Sequence, residues 1–333
     1  MESRKIYKSG GSTYTISIPK GWIERQGLEA GDSLSIFVYE ASLILEPPKA
    51  RVTKEVLLDG TKASSSEALQ RLVISHYLVG YDVLKVRLDP RTRPYKEGVR
   101  RVLERLTGAE VIEDLGDSLY IKVLLDDAKL PTIQVLGRIS SLIAGMLSDA
   151  RKALDAKDEE LARGIMTREM EVDKLYFLLV RQLKKSVGDR RAAERLGIEH
   201  PRDALGFRVV AKSFERVGDH LEAMMQNYLD LLKRGEEDSV PKEVTKLLSE
   251  VARIYETSTS AFLERDPEKA EGVFQDLEGV RRSYEELVKE LFHREVSVPS
   301  AILQRSMLES LWRIARYCSD VAEIALNMAA EVP

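Results

Sequence analysis

Two pairs of acids sit where like charges repel. Glu169 and Asp173 are four residues apart in "REMEVDKLYFLL", and Glu215 and Asp219 repeat that spacing in "FERVGDHLE". Positions i and i+4 of a helix share a face, with Cβ atoms ~5–6 Å apart, so two carboxylates there repel unless a cation lies between them. One such pair alone reads as a solvated face. Two pairs on consecutive, antiparallel helices can meet across the groove and supply four carboxylates. An oxygen-rich cluster of that kind suits hard or borderline cations: iron, manganese, magnesium, or zinc with help from histidine.

The elements that must position these acids are helices. Val210, Phe214, Val217, Leu221, Met224, Tyr228 and Leu231 alternate spacings of four and three, the stripe of a helix packed in a bundle. Glu215 and Asp219 fall outside this stripe, which places a bound cation on the bundle surface, with Arg216 as a neutralising partner. From Leu130 onward the pattern gives six helical runs, near 132–156, 158–187, 202–233, 241–265, 267–294 and 299–329. Their lengths run medium, long, long, twice over, which predicts a three-helix unit present twice, with repeats of about 130–235 and 240–330.

Upstream the periodicity changes. Residues 1–50 alternate in short β-branched stretches around "PKGWIERQGLEAGD", predicting β-β-α-β-β, and Pro47-Pro48 closes the segment. Residues 61–126 read as α-β-α-β-β, a small α/β unit whose first helix is capped by Ser65 or Ser66. The expected fold is therefore α+β and multidomain: a β-rich head (1–50), a small α/β unit (61–126) and an all-α bundle of two three-helix repeats (130–333).

Bulk properties exclude several functions. The chain has 333 residues, 44% hydrophobic and 32% charged, and a net charge of −4, so contact with nucleic acid must come from a local basic patch. No apolar run reaches the ~18 residues that span a bilayer, and Cys318 is the single cysteine, which rules out an intrachain disulfide or a thiolate cage. A cytoplasmic protein that is not integral to the membrane is expected. Neither G-x-x-x-x-G-K nor G-x-G-x-x-G occurs, and the four histidines show no Ser-His-Asp spacing, so the chain does not read as an enzyme. Glu290 and His293 form a lone E-x-x-H, whereas di-iron carboxylate bundles use two, and this argues against an iron oxidoreductase or storage protein. The basic run Arg91, Arg93, Lys96, Arg100, Arg101 and Arg105 reads as a solvated helix face.

The stretch "RKIYKSGGSTYTISIPKGWIERQGLEAGDSLSIFVYEASLILEP" resembles the AbrB-like swapped-hairpin DNA-binding domain. The likeness lies in the basic strand before "SGGS", the strand ending Ile18-Pro19-Lys20, the turn into Gly27-Leu28, and "EAGDSLSI". It implies a dimer that exchanges hairpins, and physical logic agrees: about 45 residues with four short strands bury too little apolar surface alone. Within residues 1–25, Arg4, Lys5, Lys8, Lys20 and Arg25 outweigh Glu2 and Glu24 by +3, and a dimer doubles that charge. Arg4, Lys5 and Lys8 are the expected DNA contacts and Lys20 a secondary one, while Ser9, Ser12 and Thr13 can donate to phosphates beside Gly10 and Gly11. The loop "GGSTYT" is longer and less charged than the family's usual basic loop, which favours phosphate contact over base readout.

Residues 130–330 resemble the PhoU family, two repeated three-helix bundles with Glu/Asp-x-x-x-Asp motifs on the second and third helices of each repeat. The resemblance makes Glu169, Asp173, Glu215 and Asp219 the candidate ligands of a divalent or iron-cluster metal, with Glu171 and His220 as weaker additions. The second repeat departs from the pattern: Trp312 stands for the motif Glu and Arg316 for the motif Asp, which predicts one cluster per chain at most. Arg313 and Arg316 read as ordinary salt-bridge donors. The implied function is regulation of phosphate uptake, through a phosphate transporter or signalling partner and, by way of the head, through DNA. The alternative is a dimeric adaptor that docks on the transporter and binds no DNA.

Overall fold

The computed structural model describes residues 2–39, 42–47, 53–125, 130–200 and 202–330. The chain divides into two compact units, Met1–Thr53 and Lys54–Pro333.

The first unit is two hairpins around a short helix. Strand β1 (Ile6–Ser9) pairs antiparallel with β2 (Thr13–Ile16), placing Ile6 opposite Ile16 and Lys8 opposite Tyr14. Helix α1 (Lys20–Gln26) starts after Pro19 and stops at Gly27, whose φ of 64° provides a left-handed cap. Strands β3 (Ser35–Tyr39) and β4 (Ser42–Glu46) form the second hairpin. Among the described residues this unit buries no hydrophobic side chain, and Ile6, Ile16, Ile36, Val38 and Leu43 are between 54% and 77% exposed.

The second unit begins with a four-stranded sheet. Its strands are β5 (Glu55–Asp59), β6 (Val83–Arg87), β7 (Ala109–Asp114) and β8 (Ser118–Val123), in the order β5-β6-β8-β7. Helices α2 (Ser66–Val79) and α3 (Lys96–Leu103) contribute Leu69, Val73 and Val99 to its core with Leu58, Leu84 and Leu119. Ser65, with its side chain accepting from Ala68 N, is the cap of α2. The sequence pattern starts this layer at its first helix, but the structure adds β5 before it. "EVLLD" is five residues long and lacks clean alternation, so only its parallel pairing with β6 reveals it as a strand.

The bundle follows in α4 (Thr132–Ala156), α5 (Glu159–Val187), the short α6 (Arg190–Arg195), α7 (Asp203–Arg234), α8 (Lys242–Glu264), α9 (Pro267–Leu291) and α10 (Val298–Ala329). The six long helices occupy the six predicted runs, and α6 is an addition. The same turn opens the second helix of each repeat. Lys157 ends α4 and Arg265 ends α8, both at φ 54°, and in each case the next residue, Asp158 or Asp266, caps the following helix. The repeats share one core: Phe214 of α7 meets Tyr255 of α8 at 5.7 Å, and the Tyr255 hydroxyl donates to Ser140 O in α4.

Sheet layer and bundle are locked by Arg181 of α5, which is 1% exposed. Its Nη1 donates to Tyr77 O and Tyr81 O at 2.7 Å, its Nη2 to Asp82 Oδ1 at 2.9 Å, and its plane lies 5.0 Å from the centre of the Tyr77 ring. Leu78, Leu125 and Phe177 pack against both cores beside it. A hydrogen bond to a charged group contributes about 1.5–3 kcal/mol, and this guanidinium makes three, whereas Asp82, partly exposed, would keep Lys185 at 3.8 Å. Arg181→Ala is therefore expected to lower the Tm by roughly 10 °C or more in a thermal unfolding scan.

Candidate functional site

The acid pairs meet where α7 packs on α5. At Gly218 the helices approach closely: a Cβ there would stand 3.4 Å from Val172 Cγ1, already in van der Waals contact, which leaves no room for a side chain longer than a methyl in that direction. Val172 adjoins Asp173 and Gly218 adjoins Asp219, so this close approach carries the carboxylates together. One oxygen each from Glu169, Asp173 and Asp219 lies within 4.8 Å of the others.

The surroundings set the charge state. Glu169 and Asp173 are buried, while Asp219 stands at the solvent edge. Burial, then the negative charges of Glu222 and Asp219, pushes the Glu169 carboxyl up to about 7. Burial and the neighbouring Glu215 push Asp219 up to about 6. Two cations oppose this. Arg105, in the turn after α3, forms an ion pair with Asp173 and lies 5.7 Å from the Phe177 ring centre. Lys212 forms an ion pair with Glu215 and sits 5.3 Å from the Tyr176 ring centre.

This geometry revises several expectations. Glu215 is turned to Lys212 and stays outside the convergent trio, although its charge reaches both Glu169 and Asp219. Glu171 is exposed, two residues round the helix from Glu169. His220 faces α10 and stacks on Tyr317 at 5.7 Å; burial, then Arg313, lowers its pKa. Arg216 lies over the same Tyr317 ring at 5.4 Å, so the neutralising cations are Arg105 and Lys212. The site is also more enclosed than a surface cluster. The sheet layer adds Arg105 to it, and helical periodicity within the bundle gives no sign of that layer. Nor is the basic run a merely solvated face: Lys96 and Arg100 both pair with Asp114, and Arg105 reaches α5. Glu222 was legible as the third acid on the Glu215 and Asp219 face, three residues beyond Asp219.

The second repeat keeps the scaffold and inverts the charge. Arg208 sits 5.3 Å from the Tyr176 ring centre in the first repeat, and Arg305 sits 5.4 Å from that of Tyr284 in the second. Matching these two contacts places Leu277, Arg281, Trp312 and Arg316 at the positions of Glu169, Asp173, Glu215 and Asp219. Trp312 stacks on Tyr284, whose hydroxyl donates to Glu309, and Glu309 is held by Arg305 and Arg313.

In the N-terminal unit, Arg4 pairs with Glu2 at 2.6 Å and Lys20 with Glu24 at 3.5 Å. Lys5 and Lys8 are exposed and make no ion pair among the described residues, and Ser9 and Ser12 flank the exposed turn at Gly10. Among the described residues, no helix is long and apolar enough to cross a membrane.

The PhoU domain family matches residues 136–228 and again 244–328, which together exceed half of the chain. The chain belongs to the PhoU family. A second family, described as antidote-toxin recognition MazE, bacterial antitoxin, matches residues 7–53, so this PhoU-family chain carries a MazE/AbrB-like domain ahead of its two PhoU domains. PhoU from Pseudomonas aeruginosa is similar in fold, with a TM-score of 0.53, 21% identity, and coverage of 59% of this chain and 94% of that one. The phosphate transport system regulatory protein PhoU from Streptococcus pneumoniae gives 0.51 and 19%, covering 59% and 92%. No protein of curated function matches the chain.

Proposed function

We propose that this chain is a dimeric, DNA-binding regulator of phosphate uptake whose PhoU domains carry one cation site, and that it acts without catalysing a reaction. The observation that carries the reading is that, among the described residues of the N-terminal unit, no hydrophobic side chain is buried and Lys5 and Lys8 make no ion pair. Hairpins whose described residues bury no hydrophobic side chain are closed by a second copy, and closure gathers both copies' basic residues near a two-fold axis. Arg4, Lys5, Lys8 and Lys20 then meet backbone phosphates, helped by Ser9 and Ser12.

In the bundle, Glu169, Asp173 and Asp219 would hold the cation, with Glu215 and Glu222 adding negative potential. The donor set fits: three carboxylates converge, and burial, then the charges of neighbouring carboxylates, raises the pKa of Glu169 and of Asp219, a cost that a bound cation would offset. All-oxygen donors suit manganese, magnesium or iron. A bound cation would neutralise the cluster and tie α5 to α7. The protein partner is proposed to be a phosphate transporter or its signalling machinery, by family membership.

The test is retention of duplexes from a random-sequence pool in a gel-shift assay across salt concentrations. Wild type is expected to bind with an affinity that falls steeply as salt rises. Lys5→Glu with Lys8→Glu removes four phosphate contacts per dimer and is expected to flatten the log–log salt slope by roughly 3–4. A flat salt response in the wild type would overturn the DNA reading. Unchanged binding by the double variant, with its dimer intact, would overturn the assignment to these lysines. Failure to retain any duplex would leave the dimeric adaptor as the better account.

A further inference from the structure

Arg105 belongs to the sheet layer, yet its guanidinium is spent on an acid of the bundle. It is 48% exposed, whereas Asp173 beneath it is 5% exposed, so the guanidinium enters the acid cluster from the solvent side. It rests on Phe177, one turn along α5. The same turn of chain touches α5 again through Thr107, whose hydroxyl donates to Lys174 O at 3.4 Å, while the Tyr77 hydroxyl donates to Thr107 O at 3.0 Å. Arg181, the buried lock between the layers, lies eight residues further along α5, about 12 Å at helical rise. The sheet layer thus holds α5 at two places: a buried anchor at Arg181 and a half-exposed contact at Arg105.

We infer that Arg105 is an internal counter-cation occupying the acid cluster, so that a metal ion bound by Glu169, Asp173 and Asp219 and the docking of the α3 turn onto α5 exclude each other. This rests on the cation reading proposed above and gives that site an output. Arg105 engages one carboxylate oxygen of Asp173, Oδ2, so an ion ligated by the same carboxylate would set its charge against the guanidinium, and it is this like-charge repulsion that makes Arg105 give way. Its release costs little, because the side chain already reaches water, and it leaves Arg181 in place. The segment after α3 therefore lets go of α5 while the remainder of the interface stays closed. By thermodynamic reciprocity, whatever factor Arg105 takes from metal affinity, the metal takes from the docked turn. A cation so bound would be read by the sheet layer, the part of this chain that precedes its PhoU domains and follows its MazE-like domain.

The experiment uses the full chain and Mn²⁺ as the probe, with calorimetric titration and hydrogen exchange of the segment 103–109. Arg105→Gln is expected to tighten Mn²⁺ binding by about fivefold or more. Saturating Mn²⁺ is expected to speed amide exchange across 103–109 in the wild type while leaving residues 77–82, around the Arg181 anchor, protected. Arg100→Gln removes the same charge from α3 but contacts Asp114 instead, and its Mn²⁺ affinity is expected to match the wild type. Equal affinity in wild type and Arg105→Gln, or unchanged exchange at 103–109, would overturn the latch while leaving the cation site intact. Absence of Mn²⁺ binding in both would overturn the cation site itself. Equal tightening by Arg100→Gln would reduce the effect to net charge and overturn the specific role of Arg105.

Discussion

Val38→Asp is expected to convert the protein from a dimer to a monomer and to abolish retention of DNA, with the PhoU domains still folded. Val38 is 77% exposed in the single chain and pairs with Leu43, itself 65% exposed, on the second hairpin. Ile36 stands two residues away on the same face, opposite Leu45. Burial of an aliphatic side chain of this size contributes about 1.5–3 kcal/mol, and a two-fold interface loses it twice. The dimer dissociation constant should rise by roughly 100-fold or more before the cost of burying a carboxylate is counted. Sedimentation equilibrium reads the assembly, and the bundle's own unfolding transition reads its integrity. A wild-type chain that sediments as a monomer at micromolar concentration would remove the physical basis for the head. Val38→Asp remaining dimeric would move the interface away from this face. The same substitution on a covered bundle face would act differently, because Phe214 or Tyr255 already has its partners within one chain.

What could be read in the sequence was whatever depends on near neighbours. The six long helices were legible because their breaks carry their own chemistry, including the capping Asp158 and Asp266 after the last residues of α4 and α8. The convergence of Glu169, Asp173 and Asp219 was legible from i, i+4 spacing on consecutive helices, and the replacement of the acids in the second repeat from Trp312 and Arg316. The failures concern partners far apart in the chain. Arg105 meets Asp173 across 68 residues of sequence, so no periodicity within the bundle could announce it. Strand β5 is recognisable as a strand only through its pairing with β6, more than twenty residues on. Glu215 is the instructive intermediate. Lys212 lies three residues before it on one helix face, so its diversion from the cluster was available from local spacing, had cations been weighed along with acids.

The second large effect is on stability against pH, and its direction follows from the raised carboxyls. Glu169 titrates at about 7 against an ordinary 4.5, and Asp219 at about 6 against 3.8. The folded state thus holds these protons more tightly than the unfolded chain does, so each group's contribution is fully present below pH 4 and is lost as pH rises through 6 and 7. For Glu169, the buried member, the loss is on the order of 2–3 kcal/mol. Asp219 adds a smaller loss because solvent screens it. In metal-free buffer, therefore, the Tm of the second unit is expected to decline between pH 5 and pH 8. Glu169→Gln with Asp219→Asn should flatten that decline, because neutral amides carry no charge to repel. A divalent ion acts on the opposite limb. It binds only the ionised carboxylates, so Mn²⁺ should leave the Tm unchanged at pH 5, raise it increasingly toward pH 8, and do nothing for the double variant. Were the metal-free Tm to climb between pH 5 and pH 8 in the wild type but not in the variant, the cluster would be neutralised already by Arg105 and Lys212, and no unmet demand for a cation would exist there.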